Sequence, residues 1–325
     1  MSEDTLRYVR HDTNRRIGGG QRLREDLIGA RVVQLDGGPR QKSVRAILLG
    51  VACDRGVGLG GGRIGAADGP QRFRDAFFRL VAPEDWTEGA LLDAGDLLSA
   101  GRSEETHARL MEVVDVLMGR FPAARICLVG GSHDALYGEV LGLARRLRRD
   151  RAPETPRLGL VVVDASPDVA AHEGEPTHQT ALRRLLREKS AGLVADDVLL
   201  FGAQPALTPW LHARFLRGQA IESIELPETE TIDLPTRICG LGERVDGLTV
   251  SIDLCALSQT VAPGVSEPSA AGVELRPLLR AAAMASSIDK PKTFGVYGLT
   301  PRFDRDGATA RVAARICWSY CAGVA

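Results

Sequence analysis

The sequence predicts a three-layer α/β fold, with a doubly wound and mostly parallel sheet of about eight strands between two layers of helices. Short apolar runs such as Leu158–Val163 are typical of strands that a parallel sheet buries on both faces. Segments with helical spacing of apolar residues, such as 104–120, alternate with these runs along the chain. Several of the runs end in Asp or His, and ligands bind at that edge of a parallel sheet.

The elements follow from these patterns in chain order. The strands are expected at residues 44–51, 91–96, 126–129, 158–163, 198–201, 221–226, 248–252 and 293–299. Helices are expected at residues 104–120, 134–149, 181–189, 273–287 and 308–320, with one more through Trp210 and Phe215. Another helix begins at Gly69, because Pro70 suits its first turn.

Length and composition favour a single domain. The chain has 325 residues, 44% of them hydrophobic, so it can bury a large core. No Pro/Ser-rich linker divides it, and we expect one α/β domain over residues 44–325. Residues 1–43 are polar and Arg-rich and contain Gly18–Gly20. They predict an extension draped over the surface, or alternatively an arm between subunits.

Charge and cysteine content point away from several protein classes. The formal net charge is −1 with 26% charged residues, which does not favour nucleic acid or a membrane surface as a partner. No apolar run reaches the roughly 20 residues of a membrane span, and the polar N-terminus lacks a secretory pattern. The six cysteines form no CxxC pair. We therefore expect a cytoplasmic protein with buried thiols.

Three strand ends carry groups that can bind a metal ion. Asp253 ends the run 248–252, Asp164 ends the run 158–163 with Asp168 four residues later, and His133 follows Gly130-Gly131. Because parallel strands end at one edge of the sheet, these side chains are expected to meet there. Imidazole and carboxylate are hard ligands of the kind that Mn²⁺ prefers.

An alternative function for the glycine-rich stretch 54–66 is that of a phosphate-binding loop. Such a loop needs a helix that opens directly on the glycines, or a P-loop lysine. Neither is present, so nucleotide binding is the weakest of the three functions considered.

These motifs resemble the ureohydrolase family of arginases, agmatinases and formimidoylglutamases. Its active members carry Gly-Gly-x-His, Asp-Ala-His-x-Asp and Ser-x-Asp-x-Asp followed by Ala-Pro-Gly. Here the first motif is intact around His133, whereas Ser166 replaces the His of the second and Cys255 the last Asp of the third. The resemblance covers roughly residues 47–316. The loop 54–70 and the tail 301–311 are most similar to formimidoylglutamases, so the arginase-like fold is expected.

The resemblance implies a pair of Mn²⁺ ions that activate water. One ion would be bound by His133, Asp164, Asp168 and Asp253, and this set is complete. The second would share Asp164 and Asp253 and take its own ligands from positions 166 and 255. Ser is a poor ligand there, and Cys is soft and must first lose a proton. We therefore expect at most one divalent ion, with Mn²⁺ favoured, or none.

Further positions follow from the same resemblance. Arg63 is a candidate anchor for a substrate carboxylate, and a solvated loop arginine is the alternative. Asp168 and His178 are the catalytic candidates, and His172 is a second loop histidine that could act as an acid, a base or a ligand. Gly298 occupies the position at which active members have the Glu that binds the cationic amidine.

Two functions remain as the main hypotheses. In the first, the chain is a formimidoylglutamase-like homologue that is catalytically impaired or non-catalytic and binds a small amidine- or carboxylate-bearing molecule. In the second, it is an active amidine or guanidine hydrolase that acts on formimidoylglutamate or a related substrate with one metal. The family resemblance also implies a homotrimer or homohexamer.

Overall fold

The computed structural model describes residues 3–10, 24–35, 43–152, 155–171 and 173–325. In this part of the chain the strands are β1 (Val9–Arg10), β2 (Val32–Gln34), β3 (Ala46–Ala52), β4 (Leu91–Leu98), β5 (Arg125–Val129), β6 (Leu158–Val163), β7 (Leu193–Ala203), β8 (Glu222–Glu225), β9 (Gly247–Asp253) and β10 (Lys292–Tyr297). The α-helices are α1 (Arg55–Leu59), α2 (Gly69–Phe77), α3 (Ser103–Arg120), α4 (Leu136–Arg151), α5 (Ala181–Arg187), α6 (Trp210–Gln219), α7 (Leu234–Arg244), α8 (Leu275–Ser287) and α9 (Ala308–Ala322).

All these strands form one sheet in the order β1-β4-β3-β5-β10-β9-β6-β7-β8, and β2 also pairs with β4. The pairs are parallel except β1 with β4. The predicted mostly parallel α/β sheet is confirmed. Its buried apolar strands, such as β6, have helices on both sides. The described residues contain ten strands rather than about eight, since β1 and β2 were not expected.

The helices form two layers. Helices α2, α7, α8 and α9 contribute buried side chains to the core on one face of the sheet. Helices α3, α4, α5 and α6 contribute to the core on the other face. This arrangement follows from amphipathic helices burying their apolar stripes on a sheet that is apolar on both faces. None of the described helices combines the length and the apolar character that crossing a bilayer requires.

The described parts of residues 1–43 correct the expectation of a surface extension. Val9 pairs with Leu97 and Val32 pairs with Leu91, so both segments extend the sheet beyond β4. Val9 and Ile28 are buried in the core. The physical reason is that β4 would otherwise be an edge strand with unpaired backbone groups, which a further strand satisfies. Gly18–Gly20 lie outside the described residues.

Helix α7 was not predicted. It begins after Asp233, whose side chain accepts a hydrogen bond from the backbone N–H of Thr236 at 3.2 Å. It buries Leu234, Ile238 and Leu241, which are spaced by one or two helical turns. Two glycines inside the segment weaken the sequence signal. Packing of the apolar stripe against the sheet therefore decides this helix.

Candidate functional site

Four neighbouring strands bring the predicted site residues to one edge of the sheet. Strands β5, β10, β9 and β6 are consecutive and parallel. Their carboxyl ends lead to His133, Gly298, Asp253 and Asp164 respectively. Residues that are more than 100 positions apart in sequence thus meet because their strands are neighbours.

His133 lies at the centre of the site and is 1% exposed. Its Nδ1 lies 3.0 Å from Oδ2 of Asp164 and 2.8 Å from Oδ2 of Asp168. Its Nε2 lies 2.9 Å from Oγ of Ser251, a residue of β9 that the sequence motifs did not assign to the site. Oδ2 of Asp253 is farther away, at 3.7 Å from Nδ1. The backbone of Asp168 has a φ of 52°, an uncommon conformation for a non-glycine residue and typical of functional sites.

The charged groups of this cluster shift one another's pKa values. Burial by itself lowers the pKa of His133, but the hydrogen bonds to Asp164 and Asp168 outweigh it and raise the pKa well above the usual value. Burial and the charge of Asp164 raise the pKa of Asp168 to about 7 and the pKa of Asp253 to about 6. Buried carboxylates in this proximity require a compensating positive charge.

The donor set fits a divalent metal ion. One ligand atom from each of His133, Asp164 and Asp168 can be chosen so that all three lie within 4.8 Å of one another. A nitrogen and carboxylate oxygens are suitable ligands for Mn²⁺. Asp253 lies at the margin of this group, since its nearer oxygen is 3.7 Å from His133. These three residues would hold the ion, with Asp253 beside them.

Ser166 and Cys255 line the same recess as His133. The backbone N–H of Ser166 donates to Oδ1 of Asp164 at 3.1 Å. The backbone N–H of Cys255 donates to Oδ1 of Asp253 at 2.7 Å. Burial and the charge of Asp253 raise the pKa of the Cys255 thiol well above its usual value, so the thiol stays neutral. The second oxygen of each shared aspartate is thus already bound to the backbone.

His178 and Glu267 form an ion pair in the recess. Nδ1 of His178 lies 3.2 Å from the carbonyl oxygen of Gly56, and Nε2 lies 3.1 Å from Oε1 of Glu267. Burial alone lowers the pKa of His178, but the neighbouring Glu267 carboxylate outweighs it and raises the pKa to about 9. His178 is therefore cationic at neutral pH. Glu267 was not predicted, although it lies in the loop that follows the recognised Ala262-Pro263-Gly264.

The glycine-rich stretch packs against His178. A Cβ atom at Gly60 would lie 2.4 Å from Cε1 of His178, so only glycine allows this approach. The helix in this stretch, α1, has five residues, contains Gly56 and Gly58 and ends before Gly60. Oδ2 of Asp54 closes the loop by accepting a hydrogen bond from the backbone N–H of Gly65 at 2.7 Å. The loop forms a wall of the recess, to which Val57 belongs, and the structure provides no support for the nucleotide alternative.

Arg63 lies outside the recess. Its Nη2 donates to the carbonyl oxygens of Val265 at 2.6 Å and Pro263 at 3.3 Å, and its guanidinium lies over the ring of Phe303. It lines a second and larger cavity. The structure therefore does not bring Arg63 together with His133, and its role as a carboxylate anchor stays a prediction. His172 lies outside the described residues.

Comparison with known proteins places these features in a family. The family model described as "Arginase family" matches residues 44–323, which is most of the chain. The chain belongs to the arginase family.

Curated relatives in this family are named formimidoylglutamase. The protein from Cupriavidus pinatubonensis is 33% identical over 284 residues, covering 84% of this chain and 85% of its own length. The one from Geobacillus thermodenitrificans is 31% identical over 292 residues, covering 88% of this chain and 87% of its own length. The predicted resemblance to formimidoylglutamases is therefore confirmed.

Solved structures of arginase-family proteins have the same fold. Formimidoylglutamase from Bacillus subtilis superposes with a TM-score of 0.81 at 18% identity, covering 95% of each chain. Formiminoglutamase from Trypanosoma cruzi, determined with Mn²⁺, superposes with a TM-score of 0.73 at 24% identity. That match covers 87% of this chain and 94% of the other. The arginase-like fold predicted from the motifs is thus confirmed.

The backbone conformation at Gly298 requires glycine. The family resemblance implies a substrate-binding Glu at this position. The φ of Gly298 is +85°, and an added Cβ would lie 2.6 Å from Oδ1 of Asp253. An L-residue at 298 would thus be strained and would displace a site carboxylate. A glutamate carboxylate still lines the recess, that of Glu267, but it comes from a different loop.

Proposed function

We propose that this arginase-family protein binds at most one divalent metal ion and is impaired in the hydrolysis of linear amidines. The ion would be held by His133, Asp164 and Asp168, with Asp253 beside it. The observation that carries the proposal is that Ser166 and Cys255 line the recess at the positions where a second ion would need its own ligands. A hydroxyl and a thiol that stays neutral are poor ligands for Mn²⁺, so these positions do not support a second ion.

The ligand class follows from the charges of the recess. Its walls carry the carboxylates of Asp164, Asp168, Asp253 and Glu267 around two histidines. Such a surface favours a cationic amidine group over an anion. A small amidine such as formimidoylglutamate, the substrate class of the named relatives, is therefore the proposed ligand of this site.

The single-metal hydrolase is the second candidate, and one observation favours it. His178 holds a proton at neutral pH inside the recess and can donate it to a leaving amine. Glu267 orients this imidazole from 3.1 Å. A divalent ion would supply Lewis-acid activation of water at the cluster. Asp168 remains the candidate base on this alternative.

Turnover of N-formimidoyl-L-glutamate separates the two candidates. The purified protein is incubated with Mn²⁺ and the substrate, and formamide and glutamate are quantified. Impairment predicts release close to the rate of a His133→Ala control, which lacks the central ligand. Release of formamide and glutamate well above that control would refute the hypothesis of an impaired protein. If this release is abolished in His178→Asn, the single-metal hydrolase is established.

Assembly into a homotrimer or homohexamer is proposed from the family resemblance. Light scattering coupled to gel filtration measures the mass directly. A mass of one 34.8 kDa chain would contradict the proposal.

A further inference from the structure

A second cavity of about 800 Å³ lies next to the recess. The loop of residues 263–268 separates the two, since Ser266 and Glu267 line the recess whereas Pro263 and Pro268 line the cavity. Its size is that of a small-molecule site. The cavity is unlike the acidic recess, because arginines dominate its charged lining.

Four arginines line this cavity, namely Arg63, Arg302, Arg305 and Arg311. Within the part of the chain that the structure describes, none of the four has a carboxylate within ion-pair distance. Arg63 and Arg311 donate only to backbone carbonyl oxygens, including that of Asp306. Nε of Arg63 is buried without a hydrogen-bond partner among the described residues. Many other arginines of this chain are paired, as Arg74 is with Asp93.

Two aspartates also line the cavity, and they do not neutralise it. Both carboxylate oxygens of Asp304 accept backbone N–H groups at the start of α9, from Thr309 at 2.8 Å and from Ala310 at 3.0 Å. The carboxylate of Asp306 is exposed to solvent. Four guanidinium groups against two carboxylates leave an excess of two positive charges, in a protein whose overall formal charge is −1.

We propose that this cavity binds a small dianion, either a dicarboxylate or a phosphate monoester, at a site separate from the metal recess. Arg302 and Arg305 would make the main contacts, because among the described residues neither guanidinium group has an ion pair, and Arg302 only lies 5.8 Å from the ring of Phe303. Both can therefore bind a carboxylate or phosphate in a bidentate manner. Arg63 lies over Phe303 and is held by Pro263 and Val265, so it would form a fixed positive wall. A dianion would balance the excess charge of the lining.

Calorimetric titration of the full chain with glutarate and with inorganic phosphate tests this site. We expect saturable one-to-one binding of at least one of them, weakened about tenfold or more in the double variant Arg302→Gln/Arg305→Gln. The double variant Arg302→Lys/Arg305→Lys keeps the charge but loses the planar fork, so an intermediate loss is expected. Arg276→Gln is the matched control, because Arg276 is an exposed arginine on α8 that does not line the cavity.

The titration is repeated after chelation, since a metal ion in the recess could also bind an anion. Unchanged affinity after chelation supports the separate cavity. If glutarate binds more tightly than inorganic phosphate, the ligand is assigned as a dicarboxylate. If inorganic phosphate binds more tightly, the ligand is assigned as a phosphate monoester. The proposal is overturned if neither anion binds, if the double glutamine variant binds as the unmodified protein does, if Arg276→Gln loses the same affinity, or if chelation abolishes binding. Because no hydrolysis is measured, these outcomes do not depend on the proposed function.

Discussion

The backbone N–H of Cys255 donates a hydrogen bond of 2.7 Å to Oδ1 of Asp253, while Oδ2 of the same carboxylate lies 3.7 Å from His133. One oxygen thus faces the predicted metal ligands and the other faces the backbone of the next turn. Asp164 is divided in the same way, between His133 and the N–H of Ser166. These hydrogen bonds fix the orientation of both carboxylates, as is usual for carboxylates that bind a metal ion.

The protein is expected to bind no more than one Mn²⁺ per chain. Three hard ligand atoms from His133, Asp164 and Asp168 converge, whereas positions 166 and 255 supply a hydroxyl and a neutral thiol. Elemental analysis after incubation with Mn²⁺ and removal of free ion measures the stoichiometry. His133→Ala is the control and should retain almost no ion. Two tightly bound ions per chain would refute the proposed limit of one ion.

The double variant Ser166→His/Cys255→Asp should take up more Mn²⁺ than the unmodified protein. It supplies an imidazole and a carboxylate in the recess where both positions lie, beside Asp164 and Asp253. Isothermal titration should show a second binding event, and Ser166→Ala/Cys255→Ala, which removes polar atoms at the same positions, should not. If the histidine/aspartate variant gains no ion, positions 166 and 255 do not correspond to a second metal site.

Substitution of Gly298 by Ala should destabilise the protein by about 1–3 kcal/mol. The φ of +85° disfavours any L-residue, and the new Cβ would lie 2.6 Å from Oδ1 of Asp253. Gly240→Ala is a matched control within α7, where an added Cβ meets no atom within 4 Å. That variant should gain about 0.5–1 kcal/mol, since alanine favours the helix. Urea unfolding measures both, and equal effects of the two variants would argue against strain at position 298.

Lys292 provides a test of pH-dependent stability away from the site. Burial, with a smaller contribution from Arg125, lowers the pKa of Lys292 to about 8. The unfolded chain keeps this proton up to about pH 10.4, so the unfolded state binds more protons between these values. The free energy of unfolding therefore rises as the pH increases above about 8, by on the order of 1–2 kcal/mol up to pH 9.5.

The variant Lys292→Met isolates this contribution. Its free energy of unfolding, measured by urea titration between pH 7 and 9.5, should lack the rise. Comparison with the unmodified protein cancels the titration of other groups. A difference between the two proteins that does not change with pH would show that Lys292 titrates at an ordinary pKa.

The α/β class, most strands and helices, and the residues that meet around His133 could be predicted from the sequence. Buried parallel strands such as β6 are continuous apolar runs. Asp253 ends its strand, Asp164 directly follows its strand, and His133 lies four residues after the end of β5. These signals are local: a short window of sequence contains both the strand and the polar residue after it. The family motifs then located Ser166 and Cys255 in the same recess, which the structure bears out.

The contacts between groups that are distant in sequence became apparent only in the folded structure. The pairing of β1 and β2 with β4, the contact of Glu267 with His178, and the collection of Arg302, Arg305 and Arg311 around one cavity depend on loops and strand neighbours. No local pattern specifies such contacts, because they result from the packing of segments far apart in the chain. Helix α7 is similar, since its two glycines weaken the local signal and its stability comes from the face that it buries.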